Sequence, residues 1–469
     1  MTAVVCVDFG STFTKVALVD LEHGAIVAAA SHPTTLPTSA GTGDVLDGFE
    51  ACLSSLKTQV PGATYAEVLA CSSAGGGLRI AVVGNEELVT AEAGRRVALS
   101  SGGKVVAVLS GGLDAVRYAD LCDALPDVVL LVGGTDGGNS SQLVGDADYL
   151  AAEGWSGPVV VAGDVEAQEQ VAAALEGSLT PYVLADNVVP RIGVLAAESA
   201  RAAIREMFLA HVIGGKHLSG RRSVTGDLFT EMVRGATPDV VLTGVELLAQ
   251  GLDEDRPGAG DVVVVDVGGA TTDVHSVVEV DPEHSGLARE VVATTPVTRT
   301  VEGDLGMRWS AISTVEAAGL SELTAAAQRR HDDPDFLPDS DEERVVDEAI
   351  ARAAIGLALK RHAGRSKVVL GPEGRVVERT GKDLREIDLL VGSGGALRHG
   401  AEGVVRRVLL PATGEDADGW QLPRAPRVVV DHDYVLAAAG LLARTHPEAA
   451  YRLVRTLALG ADQFVGPGE

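Results

Sequence analysis

At 469 residues the chain is too long for one small core, and two or more domains are expected. It is 46% hydrophobic but only 3% aromatic, so its core rests on Val, Leu, Ala and Ile; with 56 Gly this suits an α/β protein of valine-rich parallel strands and glycine turns. A formal net charge of −28 repels polyphosphate backbones, which argues against nucleic acid as a partner. The charge reads as a solubility device or as a docking surface for a basic partner. Cys6, Cys52, Cys71 and Cys122 show no CxxC spacing, so no zinc or iron–sulfur site is legible and a reducing cytosol is the expected compartment. The N-terminus lacks a basic signal-peptide region, and no segment approaches the roughly 20 apolar residues of a membrane span. The expected setting is cytoplasmic, away from the membrane.

In chain order, residues 4–7 read as a buried strand, with further strands at 15–21 and 25–30 and a helix at 44–60. Strands at 67–72 and 78–83 are followed by a helix at 88–100 and strands at 104–109 and 128–132. Strand–helix pairs follow at 159–162 with 165–176, and at 182–185 with 191–210. A strand is expected at 240–243, a polar Pro/Gly joint at 252–260 and a strong strand at 262–265. Residues 332–341 read as an acidic surface loop, 342–363 as an amphipathic helix, 389–391 as a strand and 433–445 as an Ala/Leu helix.

One repeat organises this series. Residues 5–15 read VCVDFGSTFTK and residues 263–273 read VVVDVGGATTD. Each is an apolar strand, an Asp, one residue, a Gly and a turn of small residues. The copies lie about 260 residues apart, a domain-scale spacing rather than a solenoid period. Two related halves are expected: residues 1–255, carrying an inserted α/β segment, and residues 256–469.

Three motifs carry chemistry. In the first, Gly10 allows close backbone approach, and turn N–H groups could cradle phosphate oxygens. Ser11, Thr12 and Thr14 add hydroxyls, and Lys15 adds a positive charge. Asp8 could hold Mg²⁺ through waters. An ordinary hairpin turn with an Asp cap explains the same residues. In the second, Gly268 and Gly269 sit in a similar turn with Thr271 and Thr272. Of the carboxylates Asp266 and Asp273, one could order metal waters and the other orient or deprotonate an attacking water. The repeat favours a phosphate clamp over two unrelated turns. In the third, a strand ends in Gly392, Ser393, Gly394 and Gly395, small enough for adenosine to lie against the backbone. There is no Walker loop and no strand–helix GxGxxG fingerprint. The glycine loops at 72–79 (SSAGGGLR) and 132–139 (VGGTDGGN) remain open between connection and site.

The order of these sites resembles the actin, sugar-kinase and heat-shock-chaperone ATPase superfamily. DFGSTFTK at Asp8 is similar to its first phosphate motif, DVGGATTD at Asp266 to its second, and Gly392 to Gly395 to its adenosine motif. The resemblance implies two ribonuclease-H-like domains facing a cleft that holds ATP and Mg²⁺, with Asp8, Asp266 and Asp273 catalytic and Asp8 and Asp266 on the metal's waters. A closer resemblance runs through SSAGGGLR at Ser72, LLVGGTDGGN at Leu130, VVVDVGGATTDVHS at Val263, EGDLGMRWS at Glu302 and LLVGSGGALRH at Leu389. These segments resemble the MutL-type (GlmL) accessory proteins of glutamate mutase. That implies a partner, an adenosylcobalamin-dependent mutase subunit, and a role in ATP-driven protection or reactivation. A small-molecule kinase or a nonhydrolysing scaffold of the same fold stays open. An activator of the 2-hydroxyacyl-CoA dehydratase type is disfavoured, because its bridging iron–sulfur cysteines have no counterpart.

Overall fold

The computed structural model describes residues 2–37, 43–279, 295–371 and 374–459, which include every candidate site residue named above. β1 (Ala3–Phe9), β2 (Phe13–Asp20) and β3 (Ala25–Pro33) form an antiparallel meander. The helix Val45–Gln59 follows, its first turn capped by the Asp44 carboxylate on Leu46 N–H. It leads to β4 (Glu67–Ser72), parallel to β1.

A second sheet then interrupts the first. β5 (Arg79–Gly84), β6 (Lys104–Ser110), β7 (Val128–Leu131), β8 (Val159–Val161) and β9 (Tyr182–Leu184) pair in the order β6-β5-β7-β8-β9, all parallel. Val129 and Leu131 bury against Leu143, Val171 and Leu175 on one face, while Val82 and Leu130 share a core with Val97 and Ile204. Helices on both faces explain why these strands read as continuous apolar runs. This is the inserted α/β segment. The chain returns as β10 (Val233–Ala236), parallel to β4, and completes a sheet of order β10-β4-β1-β2-β3.

After a two-stranded ribbon, β11 (Gly251–Asp253) with β12 (Arg256–Pro257), the pattern repeats. β13 (Val262–Val267), β14 (Thr272–Val277) and β15 (Val297–Glu302) form the second meander. β16 (Arg365–Gly371) and β17 (Gly374–Thr380) make a separate hairpin. β18 (Leu389–Ser393) runs parallel to β13, and β19 (Arg427–Val430) parallel to β18, giving the order β15-β14-β13-β18-β19. The helix Asp341–His362 packs Ile350, Ala354 and Ile355 into a core with Val263, Val265 and Val274. Both meander sheets thus share one strand order and one set of directions, the ribonuclease-H-like plan expected from the sequence.

The chain divides into two compact units. The first takes Met1–Gly244 with Ala437–Ala450, and the second takes most of the remainder from Val245. The passage between them falls inside the helix Thr237–Gln250. That helix corrects an expectation, since residues 240–243 lie within it and the strand is β10 just before it. Val240, Leu242, Val245 and Leu248 are all buried. A helix buried on several sides loses the polar stripe that marks a 3.6-residue period, and its β-branched run then reads as a strand. The helix expected at 191–210 starts only at Glu198. The helix expected at 433–445 is Val435–Leu442, and a second, Pro447–Leu459, follows it. No helix among the described residues is long and apolar enough to cross a membrane.

Candidate functional site

The two copies of the repeat fold into equivalent hairpins. In the first, Asp8 lies opposite Lys15 and Phe9 opposite Thr14; in the second, Asp266 lies opposite Asp273 and Val267 opposite Thr272. Gly10 N–H donates to Phe13 O (3.1 Å), and Gly268 N–H donates to Thr271 O (2.9 Å). A Cβ at Gly10 would lie 2.6 Å from Phe13 O, and one at Gly268 3.0 Å from Thr271 O. Close backbone approach therefore accounts for the Asp–X–Gly spacing in both copies. Ser11 and Thr12 at the first tip are exposed. Thr14 and Thr272 are fully buried beneath their loops. The Thr14 hydroxyl sits 3.3 Å from that of Thr34, which donates to Gly10 O, while Thr272 donates to Leu305 O.

Charge distinguishes the copies. In the first, Lys15 Nζ lies 3.5 Å from Asp8 Oδ2, and Thr237 Oγ1 donates to Asp8 Oδ1 at 2.7 Å. In the second, two carboxylates stand directly opposite one another, a placement that destabilises a bare antiparallel pair. Arg299 on β15 pairs with Asp273, donating from Nε and Nη2 to its Oδ1 at 3.1 and 2.6 Å. Thr271 Oγ1 donates to Asp273 Oδ2 at 3.2 Å.

A third carboxylate stands nearby. Asp431 follows β19, is 1% exposed, and accepts N–H bonds from Val435 and Leu436 at the start of the next helix. Burial raises its pKa from 3.8 to about 6 against the lowering effect of those bonds, and the Asp266 charge adds to the rise. Between its unfolded and folded values the folded state binds more protons, so this contribution to stability is full below about pH 4 and lost as pH rises through about 6. The loss amounts to about 3 kcal/mol. In magnesium-free buffer, the stability of Asp431→Asn relative to the parent should therefore climb between pH 4 and 6 and then level off. A difference flat with pH in urea titrations would exclude a raised Asp431.

At the third motif, Gly394 is a close-approach point: φ is 107°, and a Cβ would lie 2.2 Å from Val267 O. It fastens the end of β18 to the end of β13. Ser393 is buried and in register with Asp266, whereas a Cβ at Gly395 would meet open space. Gly392 packs against Leu397 and Leu409. The structure thus brings 266–273 and 392–395 to one end of the strands of one sheet.

The other glycine loops separate. Ser73 and Ala74 N–H groups both donate to Phe9 O, which ties the 72–79 loop to the first hairpin. The 132–139 loop belongs to the inserted sheet, where Asn187 Nδ2 donates to Gly134 O and Asp136 Oδ1, and Gly137 N–H donates to Asp164. Sequence reasoning missed Thr237, Arg299 and Asp431. Asp431 was recoverable, because residues 428–431 read VVVD, the same strand-then-Asp signal as the two repeats. Thr237 and Arg299 carry no local signal; strand pairing brings them in.

No cluster of three His, Cys, Asp or Glu able to hold a metal occurs among the described residues. Mg²⁺ keeps several waters and binds through one or two carboxylates plus phosphate oxygens, so it needs no such cage, and a strand-end carboxylate such as Asp8 or Asp266 has the chemistry to accept from its waters.

A family model described as MutL protein matches residues 4–457. Protein MutL of Clostridium tetanomorphum is 35% identical over 469 residues, covering 97% of this chain and 99% of its own. Among solved structures, nucleotide-free acetone carboxylase is 14% identical, with 94% of this chain and 70% of that one covered at a TM-score of 0.37. The nucleotide-free diol dehydratase-reactivating factor is 13% identical, with coverage of 96% and 100% at a TM-score of 0.35. The 2-hydroxyisocaproyl-CoA dehydratase activator of Clostridium difficile, with bound ADPNP, is 10% identical, with coverage of 96% and 96% at 0.30. At such scores these likenesses carry no weight, and the fold stands on the strand order itself.

Proposed function

The chain belongs to the MutL family, and on that premise we propose that it is an accessory protein that binds and hydrolyses Mg-ATP and acts on an adenosylcobalamin-dependent mutase. One observation carries the nucleotide part. The same Asp–X–Gly hairpin recurs at the same place in two sheets of identical order, with Lys opposite Asp in one and Asp opposite Asp in the other.

In this reading Gly10, Ser11, Thr12, Gly268, Gly269 and Thr271 present N–H and hydroxyl donors to the phosphates, and Lys15 turns from Asp8 to a phosphate oxygen. Thr14 and Thr272 hold the loops from beneath. Asp8 and Asp266 accept from the waters of a Mg²⁺ that neutralises the phosphates. Gly395, where a Cβ would meet open space, lies under adenosine, and the buried Gly392, Ser393 and Gly394 hold that floor from beneath. Asp273 orients the attacking water. The setting is cytoplasmic. The mutase partner rests on the five segments that resemble glutamate mutase accessory proteins, and nucleotide state would act on it through differential affinity.

Lys15→Ala removes one charge-assisted contact, worth about 1.5–3 kcal/mol, so the Kd for Mg-ATP should rise on the order of tenfold or more. Titration calorimetry on the variant checks this, and an unchanged Kd would remove Lys15 from the site. For the partner, the tagged chain should capture a mutase subunit from its native host in a nucleotide-dependent way. Turnover stimulated by a metabolite, with no mutase captured, would point instead to a kinase.

A further inference from the structure

Arg299 reaches diagonally across the β14–β15 ladder. Its register partner is His275, yet its Nε and Nη2 both donate to Asp273 Oδ1, two register pairs further along. Only 4% of the Arg299 side chain is exposed. A cation so buried is costly unless well paired, so the contact is tightly specified. His275 is 2% exposed, and its Nδ1 has no partner among the described residues. Burial, and then the charge of Arg299, hold its pKa far below the usual histidine range. A neutral imidazole in register offers Arg299 no counter-charge, and the guanidinium leans toward Asp273. The two carboxylate oxygens are then held from opposite sides, Oδ1 by Arg299 from the sheet and Oδ2 by Thr271 from the turn.

We propose that Arg299 is a positioning residue for ATP hydrolysis: its two N–H donors fix the Asp273 carboxylate so that Oδ2, on the turn side, receives the O–H of the attacking water. This rests on the ATPase reading above. Water oxygen bonds to the γ-phosphorus as the bond from that phosphorus to the β,γ-bridging oxygen breaks. ADP and phosphate form, and the water's proton passes to Asp273 Oδ2 and then to solvent. Arg299 touches neither water nor phosphate in this step and acts through Asp273.

The test is a double-mutant cycle in single-turnover hydrolysis, with ATP affinity and melting temperature measured on each protein. Arg299→Met should lower kcat by about 10²-fold, the scale of an ångström-level misplacement, with ATP affinity little changed. Arg299→Lys should recover part of the loss, since an ammonium supplies charge without the fork. In an Asp273→Asn background, Arg299→Met should cost nothing further. Losses that multiply, a normal kcat in Arg299→Met, or a loss confined to ATP affinity would each overturn the assignment. If Arg299→Met does not fold, the same cycle run with Arg299→Lys decides. Absence of turnover in the parent protein would overturn the ATPase reading and this inference together, whereas parent turnover with multiplicative losses overturns this inference alone.

Discussion

Asp266→Ala should reduce Mg-dependent ATP turnover by about 10²–10³-fold in protein that remains folded. The loss follows from metal placement. Charge stabilisation by a bound Mg²⁺ is worth several kcal/mol at the transition state, and each 1.36 kcal/mol is a factor of ten. A purely structural Asp266 predicts instead a lowered melting temperature, with turnover falling only as folded protein is lost. Asp8→Ala should match the kinetic loss.

Asp273→Asn should slow hydrolysis by about 10²–10⁴-fold, the span of general-base assistance, and keep most of the ATP affinity. Asn keeps an oxygen for Arg299 to address, but its NH2 cannot accept from Thr271 as Oδ2 does, and it loses the charge that draws a proton from water. Single-turnover hydrolysis and equilibrium binding on the same variant separate the two effects. If the chain serves a mutase, Asp273→Asn should also prolong the ATP-bound complex with it. Normal turnover with a lowered melting temperature would reduce Asp273 to a turn-capping residue.

The repeated strand–Asp–X–Gly pattern made the two-halved plan legible, because each copy combines a buried strand with a turn where a side chain would strike a carbonyl. Alternating strand and helix signals likewise marked the inserted sheet. Its strand order was not readable, since parallel pairing is set by long-range packing. Local chemistry also could not say which hydroxyls face outward. Thr14 and Thr272 look like Ser11 and Thr12 in a string of small polar residues, yet strand alternation turns them inward. Arg299 lies 26 residues beyond Asp273 in an unremarkable strand and becomes relevant only through the β14–β15 register.

The central claim is that the two hairpins serve one chemistry, Mg-ATP binding followed by hydrolysis. Thermal unfolding of the purified full chain, read alongside phosphate release, tests it most directly. At 100 times Kd a ligand selective for the folded state adds about 2.7 kcal/mol, so Mg-ATP should raise the melting temperature by several degrees. Mg²⁺ alone should not, and slow phosphate release should accompany the shift. An unchanged melting temperature and no phosphate release with any nucleoside triphosphate would contradict the account.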